Sequence, residues 1–85
     1  MEIDDIISAL EKTLYFLHQS DSSDYAHLSA EELIKQIEFE LDKIKNFGVI
    51  DKKQLSYLFA PTSSLQETSI DNGWGEEFLE LSRYF

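Results

Sequence analysis

With 85 residues, no cysteine, and 17 acids against 7 bases for a net charge of −10, the chain is expected to be one small domain without disulfides or thiolate chemistry. That charge argues against direct nucleic-acid binding and anionic membrane surfaces, because phosphate contacts run through Lys and Arg, and it favours a basic partner. A hydrophobic fraction of 42% and an aromatic fraction of 13% exclude a disordered chain, since enough apolar surface is present to offset the ordering entropy.

The first residues carry acids at Glu2, Asp4 and Asp5, the opposite of a basic signal-peptide start. No apolar run approaches the ~18 residues of a membrane span. A soluble, cytoplasmic protein is the expectation. The first predicted element runs from about Ile3 to Gln19. Ile3, Ile7, Leu10, Leu14 and Leu17 recur at steps of four and three, with Ile6 widening the stripe, which is the pattern of an amphipathic helix. Ser20 to Asp24 is a polar loop, because its side chains compete for nearby backbone groups.

The second helix has a strong start signal. Ser29 caps it, Glu32 completes a capping box, and Leu28 and Leu33 occupy the hydrophobic-staple positions. Its apolar stripe is Leu33, Ile37, Leu41 and Ile44, broadened by Ile34 and Phe47, with Gly48 as the stop. The third helix repeats the grammar with Asp51 as cap, Gln54 three residues on, and Ile50 and Leu55 as staple. It is short, about Lys52 to Phe59, because Pro61 forbids continuation.

Beyond Pro61, Ser64 followed by Glu67 starts one short helical turn, with Ile70 as its apolar anchor. Asp71-Asn72-Gly73 signals a turn. A last helix runs from about Gly75 to the end, with Trp74, Phe78, Leu81 and Phe85 on one stripe and Glu76 and Glu77 favoured by the dipole of its first turn. The expected fold is all-α, a compact small bundle of four to five helices over residues 1–85, the C-terminal one packed by aromatics.

Little in the sequence points to catalysis, and the expectation is no enzyme, no cofactor and no metal. His18 and His27 have neither an H-x-x-x-H spacing nor a Cys partner. A calcium loop begun at Asp21 would place Ala26 where the central Gly belongs. Ser63-Ser64-Leu65 lacks both a G-x-S-x-G context and the Asp of the Asp-Ser-Leu motif that carries the phosphopantetheine arm in acyl carrier proteins. The abundant carboxylates are those of a solvated helix face.

The stretch from Leu58 to Gly75 is the most distinctive in composition, with a Pro, several hydroxyl residues and Asn-Gly-Trp-Gly. Trp74 reads as a core plug, with Pro61 and Gly73 setting turns. The same stretch reads as an ordered loop that presents Gln66, Glu67, Asp71 and Asn72 to a partner. Glu76, Glu77 and Glu80 extend that surface, and Tyr57, Tyr25 and Tyr84 are candidate aromatic anchors. A second acidic face, with Asp21, Asp24, Glu31 and Glu38, is the alternative contact.

Through Leu58-Phe59-Ala60-Pro61-Thr62, Leu65-Gln66-Glu67 and Gly73-Trp74-Gly75-Glu76-Glu77-Phe78-Leu79-Glu80-Leu81, the C-terminal third resembles small acidic bacterial immunity proteins of polymorphic toxin systems, including contact-dependent growth inhibition. The resemblance implies a protein that binds one cognate toxin, usually a nuclease and here by preference an RNase, as a 1:1 heterodimer. It carries over no functional residue. The alternative is an acidic regulatory, adaptor or DNA-mimic protein. Against mimicry, charge is uneven: −8 over residues 1–40, +2 over 41–53 and −4 over 54–85.

Overall fold

In the computed structural model, which describes residues 3–61 and 63–85, five helices follow one another: α1 (Ile3–His18), α2 (Ala30–Phe47), α3 (Lys52–Leu58), α4 (Ser64–Asp71) and α5 (Gly75–Ser82). Glu2 and Thr62 lie outside the described residues. The fold is all-α, as expected, and no described helix is long and apolar enough to cross a membrane. Local chemistry sets most boundaries. At α2 the Glu32 N–H donates to the Ser29 hydroxyl (3.1 Å) and the Ser29 N–H to the Glu32 carboxylate (3.0 Å), a complete capping box. Gly48 closes α2 at φ 66°, a left-handed conformation that glycine adopts without Cβ strain, with its N–H on the Ile44 carbonyl. Asp51 caps α3 through the Gln54 N–H (3.1 Å).

The start of α4 differs from expectation by one residue. Ser63, not Ser64, accepts the Gln66 N–H (3.2 Å). The Ser64 hydroxyl is occupied elsewhere, accepting the backbone N–H groups of His27 (3.0 Å) and Leu28 (3.1 Å). The helix then runs two turns rather than one.

α1 packs chiefly on α2, and α3, α4 and α5 close the remaining side of the core. Leu10, Leu17, Leu33, Ile37, Leu55, Leu65 and Phe78 are almost wholly removed from solvent. Phe59 stacks between Phe78 and Phe85, at centroid distances of 5.9 and 4.2 Å, which is the aromatic packing expected of the C-terminal segment. Trp74 is buried, stacks on Phe16 at 5.1 Å, and donates its indole N–H to the Ser20 hydroxyl (2.9 Å). It is the core plug read from the sequence.

Three apolar assignments are corrected. The buried face of α1 is centred on Ile6, Leu10, Thr13 and Leu17, so Ile7 and Leu14 sit at its margin and Ile3, in the first turn, is exposed. Phe47 is exposed, because it lies past Ile44, the last buried position of α2, where Gly48 turns the chain away. Ile70 is exposed rather than an anchor, because α4 turns Thr68 and Ser69 into the core and a 100° step per residue swings Ile70 outward.

Of the buried hydroxyls, Thr13 donates to the Ala9 carbonyl (2.8 Å) and Ser69 to that of Gln66 (2.6 Å). The Thr68 hydroxyl has no partner among the described residues and no exposure. Replacing it by a methyl of similar volume removes a desolvation cost. Thr68→Val is expected to raise stability by about 1 kcal/mol, or roughly 4–8 °C in Tm for a domain of this size, measured by calorimetry.

The capping box also predicts a pH dependence. Hydrogen bonding from the Ser29 backbone N–H, then from its side chain, holds the Glu32 carboxyl below its ordinary value, with Lys35 adding to the effect. A lowered folded-state pKa gives stability that is present above the ordinary carboxyl pKa and lost as pH falls through the lowered one. Protection of the Ser29 and Glu32 amides from exchange, taken relative to the intrinsic rate at each pH, is therefore expected to fall in acid below the ordinary carboxylate range, and Glu32→Ala to abolish that acid-dependent step.

Candidate interaction surface

A groove of about 760 Å³ lies between α1 and α5. Lys12, Tyr15 and Phe16 line it from α1. Glu77, Glu80 and Leu81, with Arg83 and Tyr84 just beyond the helix, line it from the other side. Helical spacing explains the arrangement. Phe78 and Leu81 hold the inner face of α5 against the core, which leaves Glu77 and Glu80, three residues apart, along the flank facing α1. Phe16 is held by its stack on Trp74 and by an edge contact with Tyr15 at 5.7 Å, so the aromatic wall is braced from behind.

Tyr15 is 64% exposed and Tyr84 40% exposed, large rings standing in water on an acidic protein. Neither Glu77 nor Glu80 forms an ion pair with a described residue, although Lys12 and Arg83 line the same groove. The groove therefore offers ring faces and free carboxylates to a cation, and two cations to an acid. A guanidinium could stack on the rings and bond a carboxylate with two parallel N–H groups. The sequence reading missed Lys12, Tyr15, Phe16 and Arg83 here. The available signal was Tyr15, an aromatic off the apolar stripe of α1.

The residues expected to contact a partner do not form one surface. Glu77 and Glu80 share the groove with Tyr84. Gln66 and Glu67 lie half-buried on α4, and Glu76 is exposed on α5; none of the three lines the groove. Tyr57 is exposed in a separate cleft beside His27 and Pro61. Tyr25 stands exposed in the first loop.

Asp71 and Asn72 have internal work. The Asn72 side chain accepts the Asp21 N–H (3.0 Å) and donates to the carbonyls of Asp21 and Thr68 (2.8 Å each). Both amide protons and the oxygen are thus engaged, so Asn72 fastens the first loop and has no donor left to present outward. Asp71 accepts the Ser23 hydroxyl through one carboxylate oxygen. Of the serines weighed for covalent chemistry, Ser63 caps α4 and Ser64 accepts the backbone N–H groups of His27 and Leu28. Among the described residues no three His, Asp or Glu side chains gather as metal ligands would.

Comparison with protein-family models, curated proteins and solved structures finds no match to this chain. Its functional reading rests on its own residues.

Asn72→Ala is expected to cost about 2 kcal/mol, because two hydrogen bonds to the distant Asp21 and one to Thr68 go at once. Denaturant unfolding measures the loss. Amide exchange should quicken at Asp21 first, while the α1–α5 groove keeps its native chemical shifts.

Proposed function

We propose that the chain is an immunity protein that binds and neutralises a cognate basic toxin, a nuclease and by preference an RNase, in a 1:1 complex, with the α1–α5 groove as its main contact. The observation that carries this reading is the pairing of exposed Tyr15 and Tyr84 with the unpaired carboxylates Glu77 and Glu80 in one concave surface. Interfaces concentrate their energy in aromatic and charged anchors that become desolvated at the centre of contact. A nuclease cleft presents Arg and Lys to phosphate, and carboxylates beside aromatic rings satisfy the same side chains. The net charge of −10 speeds the encounter. The resemblance of the C-terminal third to immunity proteins points the same way.

Lys12 and Arg83 refine the picture. A uniformly acidic surface would attract any cation, whereas two cations on the same rim require the partner to bring an acid in register. This arrangement suits one cognate partner and disfavours the DNA-mimic alternative, which needs unbroken rows of carboxylates.

The test is calorimetric titration into the toxin domain encoded beside this gene, together with rescue of cells expressing it. The double reversal Glu77→Lys, Glu80→Lys is expected to slow association about tenfold at low salt and to flatten its salt dependence. Tyr15→Ala is expected to speed dissociation about thirtyfold, the loss of an anchor worth ~2 kcal/mol. If the unaltered protein neither bound nor rescued, the immunity reading would fail; normal binding by both variants would remove the groove from it.

A further inference from the structure

Both aromatic walls of the α1–α5 groove are held from behind. On α1, Phe16 stacks on the buried Trp74 at 5.1 Å, and the Trp74 indole N–H is tied to the Ser20 hydroxyl (2.9 Å). Tyr15 meets Phe16 edge-on and is 64% exposed. On the other side α5 ends at Ser82, and Tyr84 stands on the short segment beyond it. That segment is fastened through Phe85. Its ring stacks on Phe59 at 4.2 Å, and its main-chain oxygen accepts the Ser56 hydroxyl (2.9 Å). The rings are therefore in place before a partner arrives, which lowers the ordering cost of binding.

Glu77 and Glu80 add acceptors that no described residue pairs with. A flat cation that stacks on a ring while its edge meets a carboxylate uses both features at once. A guanidinium does this, being planar, weakly hydrated and equipped with a rigid fork of N–H groups. An ammonium is a compact, strongly hydrated point charge and matches the pair less well. Lys12 and Arg83 impose a second requirement. They line the same groove and form no ion pair with a described residue. A lone cation entering there meets like charge, and a carboxylate beside that cation offsets it.

We infer that the groove recognises one arginine side chain with an acidic residue beside it. The guanidinium stacks on Tyr15 and pairs with Glu77 and Glu80, and the acid is met by Lys12 and Arg83. The inference rests on the reading of this groove as the partner contact and names what the partner presents there; it does not require that partner to be a nuclease.

The experiment titrates the ¹⁵N-labelled full chain at physiological salt and follows amide chemical shifts. The probes are acetyl-Gly-Arg-Glu-Gly-amide, the same peptide with Lys in place of Arg, and the same peptide with Arg in place of Glu. The first two have equal net charge, so the acidity of the whole chain does not separate them. The third is doubly positive, and a chain of net charge −10 attracts it more strongly at long range. The Arg-Glu peptide is expected to give saturable shifts at Tyr15, Glu77 and Tyr84 and none at Tyr57. The Lys-Glu peptide should bind about fivefold more weakly, and the Arg-Arg peptide no more tightly than Arg-Glu. Tyr15→Ala should weaken the Arg-Glu peptide about fourfold, while Tyr15→Phe, which keeps the ring, should not. Glu77→Gln combined with Glu80→Gln should weaken it about tenfold. An unchanged spectrum away from the groove verifies the fold of each variant. No saturation by the Arg-Glu peptide, equal binding of Lys-Glu, tighter binding of Arg-Arg, or indifference to Tyr15→Ala would overturn the inference. The toxin titration is a separate outcome. A toxin that binds and rescues while the peptides fail removes this inference and leaves the immunity reading; peptides that discriminate beside a toxin that does not bind do the reverse.

Discussion

The structure depends on how the backbone of residues 19–29 is satisfied. A loop this long between α1 and α2 has no ladder of its own to pair its N–H groups, and although most of its side chains are exposed, Ser23 is buried. Its long-range partners come from α4 and the residue that closes it. Ser64, in the first turn, accepts the N–H groups of His27 and Leu28. Asp71 and Asn72, at the other end, hold Ser23 and both backbone groups of Asp21. Ser22, Ser23 and Glu32 take the N–H groups of Ala30, Tyr25 and Ser29. The two-turn helix α4 is thus a rail to which the loop is fixed at both ends. Trp74, just beyond it, locks the end of α1 through Ser20 and Phe16.

That fastening has a consequence for the surface. With Trp74 drawn inward, Phe16 is stacked beneath the rim of α1 and α5 begins at a fixed position beside it. Glu77 and Glu80 therefore meet Tyr15 across a groove instead of standing on an isolated helix. The groove is a product of the same contacts that hold the loop, so the rigidity an interface requires is supplied by the core. The neutral cleft on α2 and α3 has a related origin. Ser63 spends its hydroxyl on the cap of α4 and Ser64 on residues 27 and 28, while the leucines beneath them complete the core.

Charge and apolar surface are segregated in a way that net charge conceals. Glu40 is buried and relies on Lys43, 3.0 Å away, which also approaches Asp51 and lies over the Phe39 ring. One carboxylate is thereby withdrawn from the acidic exterior and a lysine is held with it. The exterior is not a uniform acidic skin: mixed charge rims the α1–α5 groove, and no Asp, Glu, Lys or Arg among the described residues lines the cleft between α2 and α3.

Much of the fold was legible from local chemistry. The capping box at Ser29 and Glu32, the Gly48 stop and the Asp51 cap depend on groups within a few residues of one another, so the amino-acid order alone determines them. Helical period and the aromatic stripe of the last helix were readable for the same reason. The errors came where a residue's role depends on a partner far along the chain. Ser64 looks like a helix cap until residues 27–28 claim it, and Asn72 looks like a presented loop residue until Asp21 occupies it, 51 positions away. Ile70 looks like an anchor until the core takes Thr68 and Ser69 instead. Tyr15 and Tyr57 acquire their places in two different concavities only when helices remote in sequence pack side by side. The sequence by itself determined the helices, most of their starts and the acidity of the chain. Which polar groups are consumed inside and which remain free to meet a partner was decided by tertiary packing, because a hydrogen bond or a groove wall requires two segments and the order of residues describes one at a time.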